Sequence, residues 1–217
     1  MEDFILRLCT QLPGFLLGIV FHEAAHAYVA NKFGDNTAKL QGRLTLNPAV
    51  HYNLVGTIIF PLVGAALGGM MFGWANPVPV DGRNFKNYRK AMFWTSFAGP
   101  LANIILGVVS ALLYVVIITQ MPREFYLTEP FAQMLYGSVY INFILAVFNL
   151  IPLPPLDGSK MVTQFLNYEM ARKYEDLQRF TFLIFLMLIA TPILGYLLWP
   201  AYFLARSSIG IFYILVG

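Results

Sequence analysis

Phe15-Leu16-Leu17-Gly18-Ile19-Val20-Phe21-His22-Glu23-Ala24-Ala25-His26 is the stretch whose reading decides the fold. It lies in an apolar run from about residue 12 to 30, long enough for a membrane-spanning helix, which needs roughly 20 predominantly apolar residues. On a helix, positions four apart lie about 40° apart and one turn along. His22 and His26 therefore share a face, where two imidazoles can bind one metal ion, and Glu23 between them is close enough to handle a water bound there. A lone histidine in an apolar helix reads as a satisfied core residue. Here only three histidines exist in the whole chain, and two of them frame a glutamate at ligand spacing. Ionisable groups inside a membrane segment are costly and functional by default. With Lys32 marking the interface, a rise of 1.5 Å per residue puts the histidines about 9–15 Å below the membrane surface.

The rest of the chain suits a membrane setting. Of 217 residues, 58% are apolar and 12% charged, against about 25% charged in a soluble domain, and mean hydropathy is +0.64. Apolar runs occupy about 12–30, 54–73, 91–119, 134–151, 180–199 and 200–216. The expected fold is an all-α polytopic membrane protein of five to six membrane helices, forming a single domain over residues 1–217, with no repeat or low-complexity tract. One cysteine, Cys9, excludes an internal disulfide framework. The acidic Met-Glu-Asp start argues against a cleavable signal peptide. The net charge of +3 is small, and no nucleic-acid partner is expected.

Two connections stand apart. From Ala38 to Leu46 apolar and polar residues alternate, a strand signal that predicts a short strand or β-hairpin after the first span. Asn76-Pro77-Val78-Pro79-Val80 is non-helical, because Pro77 and Pro79 forbid a regular helix or ladder. Residues 54–73 contain Pro61 in mid-run and glycines at 56, 64, 68 and 69, a composition suited to a broken or re-entrant element. Lysine and arginine counts bear on the choice. If every apolar run spans, the basic residues divide nine to four between the two sides. If 54–73 dips in and returns, Lys32, Lys39 and Arg43 join the majority while Arg7 falls with Arg123 on the other side, and the split becomes eleven to two, with Arg206 inside a span and uncounted.

A catalytic zinc wants three protein ligands and an open position. Candidates for the third are Cys9, His51, Asp81 and Asp157. Asp157 follows Pro152, Pro154 and Pro155, which must interrupt a helix and could turn a carboxylate inward; equally, the prolines end a span and Asp157 caps the next helix. His22 and His26 sit towards the C-terminal end of the first span, and Asp157 just past the C-terminal end of the 134–151 span. One metal can join them only if both ends lie on the same face of a core about 30 Å thick. That again requires residues 54–73 not to cross.

His22-Glu23-Ala24-Ala25-His26 and Asn149…Pro152-Leu153-Pro154-Pro155-Leu156-Asp157-Gly158 resemble the two signature motifs of the site-2 proteases, which are intramembrane zinc metalloproteases. Gly99-Pro100-Leu101-Ala102-Asn103 resembles the family's Gly-Pro-x-x-Asn helix start. Gln41 to Pro48, Gly56 to Ile59 and Phe72 to Val80 are similar to the compact bacterial subgroup that lacks PDZ and CBS domains. Asp157-Gly158-Ser159 departs from the commoner Asp-Gly-Gly. The resemblance implies one Zn2+ per chain held by His22, His26 and Asp157, Glu23 as base and acid, and Asn149 near the substrate carbonyl, though Asn149 equally reads as a hydrogen bond that ties off the backbone freed by the prolines. It implies regulated proteolysis of transmembrane protein or peptide substrates in the bilayer of a bacterial cytoplasmic membrane, with the site nearer the cytoplasm. Strand addition is one way to hold an unwound substrate. Leu44, in the expected strand, and Asn76 and Val78 are the candidate contacts, with Asn103 a further one that equally serves as a brace between helices. His51 is either a surface residue or an extra ligand or gate over the zinc. The alternative function is a divalent-metal transporter or metal-binding membrane protein using the same residues. Transporters usually carry internal repeats and carboxylates on several helices, and neither is visible.

Overall fold

The computed structural model describes residues 2–66, 73–122 and 124–216. The elements are α1 (Glu2–Lys32), α2 (Thr37–Leu40), α3 (Pro48–His51), a π turn (Leu54–Ile59) leading into α4 (Phe60–Ala66), α5 (Tyr88–Gln120), α6 (Thr128–Leu150), α7 (Asp157–Thr163), α8 (Tyr168–Glu175), α9 (Thr181–Ala190) and α10 (Ile193–Val216). Helices α1, α5, α6 and α10 are long and apolar enough to cross a membrane. Among the described residues four helices of that length stand against the five to six spans expected. Thr181–Ala190 reaches only about 15 Å at 1.5 Å per residue, short of the hydrocarbon thickness, and Leu54–Ala66 runs to the edge of the described residues. The run at 180–199 breaks because Pro192 follows Thr191, whose hydroxyl turns back to the Met187 carbonyl at 2.9 Å.

Among the described residues there is no strand, which overturns the strand or hairpin expected over 38–46. Residues 37–40 instead make a single helical turn. The Asp35 carboxylate accepts from the Thr37 N–H at the start. At the end, Gly42 sits at φ +69° while its N–H bonds the Lys39 carbonyl and that of Arg43 bonds Ala38. This is the Schellman closure of a helix, which a left-handed glycine favours. Local caps at both ends outweighed the alternation between them.

The four long helices run alternately up and down. The C-terminal half of α1, the N-terminal half of α5 and the end of α6 meet at one end, where His26 touches Thr95 and His22 touches Asp157. At the other end Gln120 of α5 reaches Val216 of α10. Apolar burial does not drive helices together in lipid, so close packing and polar contacts must do so. Gly14 lets α1 approach α6 so closely that a Cβ there would stand 2.7 Å from Ser138 Cα. Phe143, Val139 and Ile144 of α6 fill a cluster with Ala111 of α5 and Leu198, Ala201 and Ala205 of α10. Phe15, Ile19 and Val20 of α1 form a second with Ile141 and Ala75.

Between α1 and α5 the chain goes out and comes back. Trp74 N–H bonds the Gly56 carbonyl at 3.1 Å, Thr57 Oγ1 bonds the Trp74 carbonyl at 2.9 Å, and Asn76 N–H bonds the His51 carbonyl at 2.8 Å. The two ends of the 54–73 run thus lie side by side; its residues 67–72 fall outside the described residues, as does Arg123, which entered the charge count. Asp35, fully buried, ties the start of the excursion to its end, accepting from Asp81 N–H at 2.8 Å and Asn84 Nδ2 at 2.9 Å as well as from the Thr37 hydroxyl.

Candidate metal centre

α1 presents His22 and His26 one turn apart, both buried, with ring planes at 88° to one another. Opposite them the prolines after α6 end that helix at Leu150, and the chain re-enters a helix at Asp157. The Asp157 carboxylate does not cap α7. Its Oδ2 lies 3.1 Å from His22 Nε2 and 3.1 Å from His26 Nε2, and the two Nε2 atoms are 3.0 Å apart. The second carboxylate oxygen, Oδ1, accepts from Lys160 Nζ at 3.2 Å. Among the described residues this trio is the one group of three or more histidine, cysteine or acidic side chains placed to hold a metal.

The surroundings fit a metal. Each imidazole donates its other N–H outward: His22 Nδ1 to Asn103 Oδ1 at 2.7 Å, and His26 Nδ1 to the Thr95 carbonyl at 2.6 Å. Such outer partners leave Nε2 as a lone pair for coordination. Two imidazole lone pairs and a carboxylate oxygen facing one another repel unless a cation or proton stands among them. Space exists beside them at Gly99, where a Cβ would stand 2.6 Å from His22 Nε2 and 2.5 Å from His26 Nε2.

Glu23, half-buried, accepts through Oε2 from the Val78 N–H at 2.8 Å. Pro77 and Pro79 have no N–H, so over these three residues the only donor available points at Glu23. Asn76 braces this segment, donating to the Tyr52 carbonyl and accepting from Asn53, and Arg43 holds the Pro77 carbonyl. Leu44 packs with Ala27, Ala38 and Val78. Asn149 donates to the Leu145 carbonyl at 2.9 Å, one turn back in α6. His51 is fully buried rather than a surface residue; its Nε2 bonds the Thr45 carbonyl at 2.9 Å, and it stands apart from the trio. Cys9 is exposed, and Asp81 pairs with Arg83, whose hydrogen bonds hold its carboxyl down at about 2. Sequence reading missed Asp35 and Asn142. A single buried acid in a loop carries no periodic signal, and Asn142 is one of several scattered polar residues in a mostly apolar helix, with nothing in its spacing to single it out.

With this geometry in view, the chain resembles known proteins in a consistent way. The model of the family described as "Peptidase family M50" matches residues 118–190. Along nearly its whole length, 96% of this chain and 94% of the relative, it is 40% identical to "Putative zinc metalloprotease YwhC" of Bacillus subtilis. The chain belongs to peptidase family M50, the site-2 proteases. Identity to "Putative zinc metalloprotease Rip2" of Mycolicibacterium smegmatis is 30%, over 85% of this chain and 68% of that one. To "Zinc metalloprotease MJ0392" of Methanocaldococcus jannaschii it is 25%, over 70% of this chain and 32% of that one. No solved structure matches. The M50 match contains Asp157, and the alignment with the Bacillus subtilis relative extends over 96% of the chain.

Proposed function

We propose that His22, His26 and Asp157 hold one Zn2+ and that Glu23 is the base and acid of peptide hydrolysis within or near transmembrane segments of membrane-protein substrates. As an M50 member the chain is a zinc metalloprotease of the intramembrane type. The observation that carries the residue roles is the convergence of three ligand atoms from α1 and α7, with Glu23 on the residue after the first histidine.

Zinc bound there would lower the pKa of its water and stabilise the charge that develops on the substrate carbonyl. The protein does the rest. Glu23 takes the proton from the attacking water and returns it to the leaving amine. His22 and His26 are held by Asn103 and the Thr95 carbonyl, and Lys160 holds the far oxygen of Asp157. Asn149, whose amide keeps a second N–H, meets the substrate carbonyl. The Asn76–Val80 segment lies against the base and is the edge along which an unwound substrate is held. Leu44 supports that segment rather than forming an edge of its own.

The side-by-side ends of residues 54–73 support a re-entrant element, and the eleven-to-two split of basic residues supports placing the site nearer the cytoplasm of a bacterial cytoplasmic membrane. One domain over 1–217 accounts for all these contacts. Metal transport through the same residues has less to recommend it, because α5 and α10 carry no carboxylate to continue an ion path.

The test is Glu23→Gln in proteoliposomes with a substrate bearing a transmembrane segment. Cleavage falls by about 10²–10⁴-fold, the usual worth of a general base, while bound zinc stays at one per chain. Unchanged cleavage would sink the assignment.

A further inference from the structure

Behind His22, on the side away from Asp157, a line of buried polar groups crosses from α1 into α5 and α6. Asn103 and Asn142 are both fully buried. Asn103 Oδ1 accepts from His22 Nδ1 at 2.7 Å, and its Nδ2 donates to the Gly18 carbonyl at 3.0 Å and to Asn142 Oδ1 at 3.0 Å. Asn142 Nδ2 in turn donates to the Ser138 carbonyl at 2.9 Å and reaches Ser138 Oγ at 3.2 Å. Ser138 Oγ lies 2.9 Å from Ser110 Oγ.

An amide's two ends are nearly alike in shape, so its orientation follows from its partners. A backbone carbonyl can only accept. The Gly18 carbonyl therefore fixes which end of Asn103 is nitrogen, and the Ser138 carbonyl does the same for Asn142. The two amides agree: Asn142 presents oxygen where Asn103 presents nitrogen. Asn103 is left with an acceptor, and nothing else, facing His22. On the opposite side of the same ring, Asp157 Oδ2 would draw the proton to Nε2, where it blocks coordination.

We propose that Asn103 is a positioning residue that holds the His22 proton on Nδ1, with Asn142 as the lock on its amide, and so keeps Nε2 free for the metal. This rests on the metal-site reading above. An Nδ1–H facing an apolar side chain at this depth would be left unpaired at a cost, and the proton would then go to Nε2 and Asp157. Gly18 is part of the device, since a Cβ there would stand 2.9 Å from Asn142 Oδ1 and 3.4 Å from Asn103 Nδ2.

The test uses the whole protein in detergent micelles, zinc-loaded and ¹⁵N-labelled at histidine. The chain has three histidines, and each has a ring N–H with a backbone or amide acceptor: His22, His26 and His51. Wild type should give three slowly exchanging imidazole N–H signals. In Asn103→Leu the His22 signal disappears or moves, those of His26 and His51 stay, and chelator competition shows zinc held about tenfold less tightly, the low end for loss of an outer partner. Asn142→Leu moves the same signal, with a smaller loss of affinity; Ser138→Ala, which keeps the carbonyl, changes neither. A folded Asn103→Leu whose His22 signal and zinc affinity, within twofold, match wild type overturns the proposal. Should all three signals vanish because that variant does not fold, Asn142→Leu decides: an unmoved His22 signal overturns it equally. If instead His26→Ala and Asp157→Ala leave zinc binding intact, the metal-site reading has failed, and not this one alone.

Discussion

Gly99 faces both Nε2 atoms so closely that a methyl group cannot share the space with a metal ion. Gly99→Ala is expected to cost about 100-fold or more in zinc affinity, the scale of a disturbed coordination sphere, read by metal analysis after dialysis against a weak chelator. Asp157→Ala should likewise lose zinc, whereas Cys9→Ala and Asp81→Ala should keep it. Those last two mark the limit of sequence reading at this scale. His22, Glu23 and His26 were legible because one helix fixes their spacing, so no tertiary knowledge is needed. Asp157 could be told from Cys9, His51 and Asp81 only through family resemblance and an argument about which membrane face each helix end occupies. Placement, not residue type, separates them: Cys9 is exposed, Asp81 is claimed by Arg83, and His51, though buried, bonds the Thr45 carbonyl apart from the trio.

Among the elements, the excursion between α1 and α5 was the least legible. Alternation over 38–46 is too short a pattern to outvote a glycine at φ +69° and a carboxylate capping Thr37. The long helices were legible because their apolar runs exceed anything a loop could hide, whereas the run at 180–199 carries no comparable length of unbroken helix because Pro192 interrupts it. Asp35 is the element-scale hinge pin. Burial pushes its carboxyl up, but hydrogen bonds from Thr37, Asn84 and the Asp81 N–H outweigh this and hold it below the usual carboxylate range. A depressed folded pKa means the clamp contributes in full above about pH 4, the unfolded value, and loses that contribution as pH falls through the folded value. Exchange protection of the Asp81 amide should therefore drop on acidification below about pH 4. Asp35→Ala should remove about 2 kcal/mol from the clamp at pH 7, the scale of losing a buried hydrogen-bonded partner. A pH-independent Asp81 amide in the wild type would contradict this.

At the scale of the whole molecule, the solvent explains what a soluble protein could not tolerate. Phe182 and Ile214 are each more than four-fifths exposed, which costs nothing in lipid. Helix contact rests on small residues and buried polar pairs such as Ser110 with Ser138. The zinc adds a global term: a ligand that binds only the folded state stabilises by about 4 kcal/mol at a thousandfold excess over its Kd. Thermal unfolding in micelles should therefore shift to higher temperature with added zinc and fall with chelator. Glu23→Gln should shift as wild type does, and His26→Ala should not respond.

His22 and Asp157 stand 135 positions apart in the chain. A ribosome feeding this sequence into the membrane delivers both histidines long before Asp157, so on the proposed ligand set the nascent chain inserts three of its long helices before a metal site can form. Chains stalled before Asp157 emerges should hold no zinc tightly and cut nothing. On that reading the metal site cannot close until α1, α5 and α6 are already in the membrane, with α10 still to follow.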